Sequence, residues 1–501
     1  MKDFDEDEQG NLAKLGEDLK AGMFKPFPVR RVTLHEQKPD GRVKRRPLGI
    51  PSIRDRIVQE ALRMVLEPIF EADFCEHSYG FRPNRHTMDA VGYLGLRLRP
   101  NTGNYFWIIA GDIASYFDTI NHRKLLRLLR RRIQDEKGLD LVWKFLRAGV
   151  MEKKLFRDTF RGTPQGGIVS PLLANIYLHE LDRYMERHLR ITNYERRKRR
   201  SKGEANFLYV RYADDFVVLC NGTKAQAEAM RQELSEFLGT TLKLNLSMEK
   251  TRVTHVNDGF KFLGFWIQRM TGTSGRCVPK ILIPDEAKKK FLHKMELALN
   301  PSTHQESVAA KILALNRILN GWGHYYRYTA NARRVFGRLD SQVFWLMGHW
   351  LGRKYKTTMP EVMRRFWKDK TYRTNKIRLR SLCGIPSKRY LARRIPNPYT
   401  TRTPQAIDRE DIFSIDAMWS GREVRGGRMD WRDLVLERDG AICAECGLEY
   451  PEWELELDHK TPRARFRRAK GADFLENFQL LCTPHHRNKT KKEQQVLSRV
   501  R

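Results

Sequence analysis

Residues 207–220, FLYVRYADDFVVLC, constrain this chain more than any other segment. Two apolar strands flank a polar turn that carries adjacent carboxylates, Asp214 and Asp215, a pattern that folds as a β-hairpin. A second run, YFWIIAGDIASYFDTI at 105–120, begins as a buried strand and reaches Asp112 just past its apolar stretch. If the two elements are neighbours in one sheet, three carboxylates converge. They repel one another unless divalent cations lie between them. That arrangement suits phosphoryl transfer with two ions about 3.5–4 Å apart, one activating an attacking hydroxyl and one stabilising the leaving pyrophosphate. Taken alone, an Asp-Asp pair is more often plain turn chemistry.

The surroundings of these carboxylates are basic. Lys and Arg number 94 against 60 Asp and Glu, a net charge of +34 over 501 residues. Compacting so much positive charge is self-repelling without a polyanion, which points to nucleic acid. Hydrophobic residues at 41% and aromatics at 10% suffice for real cores, so the chain is not a disordered basic tail. Its length predicts roughly three domains. No apolar run approaches the ~18–20 residues of a membrane span. The start, MKDFDEDEQG, is acidic where a signal or transit peptide would be basic and apolar. Secretion and membrane insertion are thereby set aside. Of seven cysteines, Cys75, Cys220, Cys277 and Cys383 are scattered, while Cys443, Cys446 and Cys482 crowd beside a His pair. That spacing indicates metal binding in a reducing compartment.

Residues 29–50 read as basic, Pro-bounded strands. RIVQEALRMVLEPIF reads as an amphipathic helix with Ile57, Ala61, Leu62, Val65, Leu66 and Ile69 inward. Residues 163–188 start with a Gly-Gly turn and continue as a helix, and 195–202, ERRKRRSK, reads as a basic loop. Residues 283–400 look helical. YADD at 212–215, DIASYFD at 112–118 and TPQGGIVSPLLANIYL at 163–178 together resemble reverse transcriptases in order and spacing. SYGFRPNR (78–85), NLSMEKTRV (245–253) and FKFLGFWI (260–267) narrow the resemblance to the group II intron-encoded type. It covers residues 11 to 495.

The resemblance implies roles residue by residue. Asp112, Asp214 and Asp215 are the metal-binding triad of the palm, holding two Mg2+. Phe117 is the bulky gate against a ribonucleotide 2′-hydroxyl. Gln165, with Gly166 and Gly167, forms the loop beneath the templating base pair. Lys250 lies near the incoming dNTP as an acid for pyrophosphate. Lys38 and Arg46 contact phosphates, and Arg30 packs near the base. Related proteins carry a leader with a Gly-x-Asp-Gly-like segment before the position matching Asn11, and this chain begins too late for one.

KILALNRILNGWGHYYRYTANARRVFGRLD (311–340) resembles the maturase segment, domain X. Leu313, Leu315, Ile318 and Leu319 suit a helical core, while Trp322, Tyr325, Tyr326 and Tyr328 among arginines suit stacking on unpaired RNA bases. CAEC at 443–446 and CTPH at 482–485 give C-x2-C…C-x2-H, two ligand pairs for a closed tetrahedral Zn2+ site of Cys443, Cys446, Cys482 and His485. With LELDH and ENFQLLC between and around them, this end resembles an HNH nuclease. On that resemblance His459 is the general base, Asp458 and His486 hold one Mg2+ or Mn2+, and Asn477 orients His459. Which of His485 and His486 binds which metal stays open.

The expected fold is α+β, a right-hand polymerase. Fingers and palm occupy 1–282, a helical thumb with maturase domain X 283–395, a basic DNA-binding linker 396–435, and a small zinc-containing ββα-metal nuclease 436–501. The expected function is that of an RNA-directed DNA polymerase and maturase. It binds group II intron RNA, assists splicing, and drives mobility by second-strand nicking and target-primed synthesis on target DNA. A second copy of the chain is a further partner. A bacterial cytoplasm, at the nucleoid, suits the missing transit peptide better than an organelle. The alternatives are a maturase with a vestigial polymerase, a domesticated or host-defence reverse transcriptase, and a DNA nuclease with a non-catalytic RNA-binding body.

Overall fold

The two apolar runs lie side by side in one antiparallel sheet. The computed structural model describes residues 7–37, 42–102, 104–152, 155–157, 162, 166–271, 275, 277–374, 377–388, 390, 395, 399, 435, 439–448, 455–461, 477–482, 485, 486, 488 and 489. They fall in two units, Met1–Thr401 and Arg402–Arg501.

In chain order the first unit opens with α1 (Glu8–Lys20), β1 (Val29–Gln37), β2 (Val43–Ile50), α2 (Ile53–Glu71) and α3 (Thr87–Arg97). Next come β3 (Trp107–Asp112), the short α4 (Tyr116–Thr119), α5 (His122–Leu129), α6 (Glu136–Arg147), β4 (Val150–Glu152) and β5 (Leu155–Arg157). The central stretch is α7 (Ser170–Leu189), α8 (Asn193–Ser201), β6 (Phe207–Tyr212), β7 (Asp215–Cys220), α9 (Lys224–Phe237) and β8 (Arg252–His255). After β9 (Phe260–Phe262), β10 (Phe265–Thr271) and β11 (Cys277–Leu282), the chain turns helical. It forms α10 (Asp285–Ala298), α11 (Val308–Tyr326), α12 (Ala332–Tyr355) and α13 (Met359–Phe366), then the small hairpin of β12 (Trp367–Lys368) and β13 (Thr371–Tyr372). The sheets run β2-β1-β4-β5, β6-β7-β3-β8 and β11-β10-β9.

The central sheet is buried on both faces, which is why its strands read as unbroken apolar runs rather than alternating ones. Ile109, Tyr209, Phe216 and Val218 share one core with Tyr177 and Leu181 of α7 and Met230 and Leu234 of α9. Ile108, Leu208, Val217 and Leu219 share the other with Leu94 of α3, Ile267 of β10, and Leu315, Met347 and Trp350 of the helical region. The helices of 285–366 are thus packed into the sheet's own core. No helix among the described residues is long and apolar enough to cross a membrane.

Three sequence expectations change. The buried face of α2 is Asp55, Val58, Gln59, Leu62, Leu66 and Phe70, while Val65 is 60% exposed and Ala61 is exposed. Buried polar work rotated the face: Asp55 Oδ2 accepts from Phe27 N–H at 3.1 Å and Gln59 Oε1 from Ile168 N–H at 2.8 Å. Residues 195–202 fall largely in α8, a helix rather than a loop. It starts with a Thr192–Glu195 capping box and has no buried residue. In α11, Leu315 and Leu319 are buried but Leu313 is 47% exposed. Tyr326 is core instead of a binding surface, and Tyr325 and Tyr326 hydroxyls donate to Leu263 O (2.7 Å) and Gly264 O (3.1 Å). Those tyrosines clamp the β9–β10 turn, where Leu263 and Gly264 both have positive φ.

In the second unit β14 (Leu455–His459) pairs antiparallel with β15 (Phe478–Cys482), burying Leu455, Phe478, Leu480 and Leu481 with Val435 and Cys443. Residues 485, 486, 488 and 489 have helical backbone. The linker 396–435 lies outside the described residues except for 399 and 435.

Candidate functional site

Asp112 ends β3, and its direct partner across the sheet is Asp215, the first residue of β7. Tyr212 also pairs with Asp215 across the hairpin, so Ala213 and Asp214 form a two-residue turn. Ala213 takes φ +57°, the left-handed sense that such tight hairpin turns demand. Burial, then the charges of Asp214 and Asp112, push the Asp215 carboxyl up to about 6. Asp214 is raised by burial, with Asp112 adding to it. Lys250 Nζ sits 2.5 Å from Asp112 Oδ2 although its side chain is 69% exposed, and this hydrogen-bonded pair raises the lysine. Ser247 N–H donates to Asp112 O at 2.9 Å, fixing the Lys250 turn beside β3. Carboxylates raised by burial and mutual repulsion, with an exposed lysine as counter-charge, fit hard divalent cations such as Mg2+.

A buried polar network that the sequence did not announce holds this turn. Arg211, at 0% exposure, donates through Nε and Nη2 to Asp182 of α7 at 2.7 and 2.5 Å. Its Nη1 reaches Asn175 Oδ1 (3.0 Å) and Ala213 O (2.9 Å). Tyr209 hydroxyl donates to Asp182 Oδ1 at 3.0 Å, and Asn175 Nδ2 to Gly80 O at 2.8 Å. Gly80 presses on the turn itself: a Cβ there would lie 2.3 Å from Ala213 N. Lone polar residues in apolar strands and helices were the signal: Arg211 inside LYVRY and Asp182 after LHEL.

The other expected residues distribute as follows. Phe117 follows α4's first residue, half-buried, with its ring edge-on to Phe81 at 6.4 Å. Gly162 passes tightly behind it: a Cβ there would meet Phe117 O at 2.8 Å. Gly166 has φ +112° and approaches the fingers strand, where a Cβ would meet Gly49 O at 2.3 Å. Glycine is required at that crossing. Gln165 and Lys38 lie outside the described residues, as does the Arg46 side chain, whose backbone pairs with Leu34. Arg30 is exposed on β1, opposite Ile50 and beside Met151 of β4.

In the second unit, one ligand atom each from Cys443, Cys446, Cys482 and His485 lies within 4.8 Å of all the others. His485 Nδ1 is 3.6 Å from Cys443 Sγ and 3.1 Å from Cys482 Sγ, close to the roughly 3.5 Å edge of a tetrahedral zinc site built on ~2.0–2.3 Å bonds. Burial opposes ionisation of Cys443, but hydrogen bonds from the backbone of Cys482, Cys446 and Glu445 and from His485 outweigh it and bring the thiol down to about 6. A thiolate already favoured suits a cation. His486 turns the other way, with Nδ1 2.9 Å from Glu456 Oε2 and Nε2 3.7 Å from Asp458 Oδ1. Lys489 Nζ lies 2.5 Å from Asp458 Oδ2. His459 packs against Phe478 at 4.5 Å. Asn477, 4% exposed, brackets the backbone of Thr461, accepting from its N–H at 2.8 Å and donating to its carbonyl at 3.2 Å. It thereby anchors the chain two residues beyond His459.

Comparison with known proteins matches residues 37–267 to the reverse transcriptase (RNA-dependent DNA polymerase) family and residues 288–368 to the group II intron, maturase-specific domain. Protein YkfC of Escherichia coli (strain K12) is 43% identical over 299 residues, 56% of this chain and 77% of that protein. The group II intron-encoded protein LtrA of Lactococcus lactis subsp. cremoris is 35% identical over 393 residues, 65% of this chain and 64% of LtrA. The three-carboxylate palm therefore lies within a reverse transcriptase domain, a maturase domain follows it, and the chain belongs to the group II intron-encoded proteins.

Proposed function

We propose that the palm polymerises DNA on an RNA template, that the chain binds group II intron RNA and assists its splicing, and that the second unit nicks target DNA during intron mobility. The observation that carries the polymerase is the cross-strand partnership of Asp112 with Asp215, with Asp214 at the adjoining turn. Asp112, Asp214 and Asp215 would hold two Mg2+. Held there, they would supply the charge that lowers the pKa of a primer 3′-hydroxyl and that balances the leaving pyrophosphate. Phe117 bars a 2′-hydroxyl from the dNTP site. Lys250, its side chain largely exposed and its Nζ beside Asp112, protonates the departing pyrophosphate. Arg30, Lys38 and Arg46 hold template or triphosphate, and Gln165 with Gly166 supports the templating pair.

A nuclease is favoured in the second unit by His486 Nε2 lying 3.7 Å from Asp458 Oδ1, on the strand that ends in His459, in a unit that also carries a separate Cys3His cluster. Asp458 and His486 would hold one Mg2+ or Mn2+, and His459 would take a proton from the attacking water. Cys443, Cys446, Cys482 and His485 would hold a structural Zn2+. Acting in a bacterial cytoplasm, the particle would prime cDNA synthesis from the nicked strand. The test is a pair of variants assayed for primer extension on RNA and for DNA nicking. Asp214→Ala should abolish extension and leave nicking, and His459→Ala should do the reverse. Loss of both activities in either variant refutes the division of labour.

A further inference from the structure

Phe81 is held in a conformation that its own chemistry opposes. Its φ is +56°, a left-handed backbone that bulky L residues avoid. The residue is 51% exposed, although a phenyl gains by burial. Both neighbours are fixed. Gly80 lies against the Ala213 turn and gives its carbonyl to Asn175. Arg82, 5% exposed, pairs with Glu71 at 2.7 Å and donates to the carbonyls of Cys75 (2.5 Å) and Ser78 (2.8 Å). With residues on both sides anchored, Phe81 has no freedom to relax, and local strain maintained in this way concentrates at functional sites. Its ring meets the Phe117 ring edge-on, 6.4 Å between centroids at 79°, a favourable aromatic geometry. Tyr116 flanks Phe117 in the same sense at 5.5 Å and 62°.

We propose that Phe81 is a positioning residue for sugar selection. Its strained, exposed ring forms a second wall that holds Phe117 upright against the 2′ position of an incoming nucleoside triphosphate. The assignment rests on the polymerase proposed above and on Phe117 as its gate. The strain serves the function: the anchors at Gly80 and Arg82 tie the wall to the carboxylate turn, so the gate and the metal-binding carboxylates keep one spacing.

Single-nucleotide incorporation on an RNA template tests this, reading the ratio of kcat/KM for a dNTP to that for the matching rNTP. Phe81→Gly removes the ring and accepts the left-handed backbone without strain, so the protein folds with an unchanged or higher melting temperature. Its selectivity ratio should fall roughly 3- to 10-fold, the worth of one aromatic pair, and Phe81→Tyr should restore it. Because Phe81 acts through Phe117, adding Phe81→Gly to Phe117→Val should change the ratio no further than Phe117→Val alone. If Phe117→Val relaxes the ratio while Phe81→Gly leaves it unchanged, the role of Phe81 is refuted and the gate stands. If Phe117→Val has no effect either, the gate falls and the proposal with it.

Discussion

Replacing Asp182 by asparagine keeps the shape of the site beneath the Asp214 turn and removes its only strong counter-charge among the named contacts. Arg211 would retain Asn175 and Ala213 as neutral acceptors, and its side chain is 1% exposed. His179, 4.0 Å from Asp182, is pushed toward its neutral form by burial, so it adds no second positive charge beside Arg211. Breaking one side of a buried ion pair costs about 3–5 kcal/mol. At about 2 °C per kcal/mol for a unit of this size, the melting temperature should fall by about 6–10 °C. The informative companion is Asp182→Leu combined with Arg211→Met, since an apolar pair of similar volume often restores or exceeds the stability of the ion pair. Its melting temperature should recover part of that loss and stay about 2–6 °C below wild type, because the buried Tyr209 hydroxyl loses its acceptor. The turn would still lack the Arg211 bond to Ala213 O, so primer extension should stay down by at least about tenfold, a small displacement of reacting groups being enough for that. Thermal melts and single-nucleotide extension, run on the same preparations, separate the two effects. A single variant melting within 2 °C of wild type, by the same conversion, or a double variant that recovers extension along with stability, would refute a positioning role for the network.

Further outcomes are expected at both metal-type sites. The Asp215 carboxyl lies near 6 in the fold against 3.8 for the free side chain. Between those values Asp215 therefore binds more protons in the folded chain than in the unfolded one, and its contribution to stability falls as pH rises through that window and levels off above it, while His77 and His188, each brought down to about 4 by burial, contribute in the opposite sense. Melted in chelator from acid to neutral pH, wild type should lose stability relative to Asp215→Asn across the window, and Mg2+ should reverse that loss; a gain relative to Asp215→Asn contradicts the assigned burial. Metal analysis should find about one zinc per chain, lost in Cys482→Ser. The second unit should then melt early while extension persists, and retention of zinc by that variant would rule out the four-ligand set.

Apolar strands ending in Asp112 and Asp215 were legible because a sheet buried on both faces leaves unbroken hydrophobic runs, in which carboxylates stand out. The Cys/His set was legible for the same reason of contrast. The support for the turn was not, because Arg211, Asp182, Asn175 and Gly80 come from three separate elements and meet only in the folded chain. Apolar periodicity misplaced the face of α2 because Asp55 and Gln59 are buried to satisfy backbone N–H groups. Aromatics interleaved with arginines read as stacking residues, where the Tyr325 and Tyr326 hydroxyls are committed to the carbonyls of Leu263 and Gly264.

The chain of contacts from Gly80 through Asn175 and Arg211 to Asp182 also bears on how this sequence can change. Asn175, Asp182 and Arg211 each satisfy a group that another leaves buried, so any one substitution among them exposes its partners' needs at once, while a side chain at Gly80 would strike Ala213 N. Scanned singly, all four positions would score as intolerant, and none would reveal that they form one unit of inheritance. Divergence at this place must pass through paired or concerted replacements. Recombination that takes α7 from one relative and the hairpin from another would break these contacts unless both parents share the same solution.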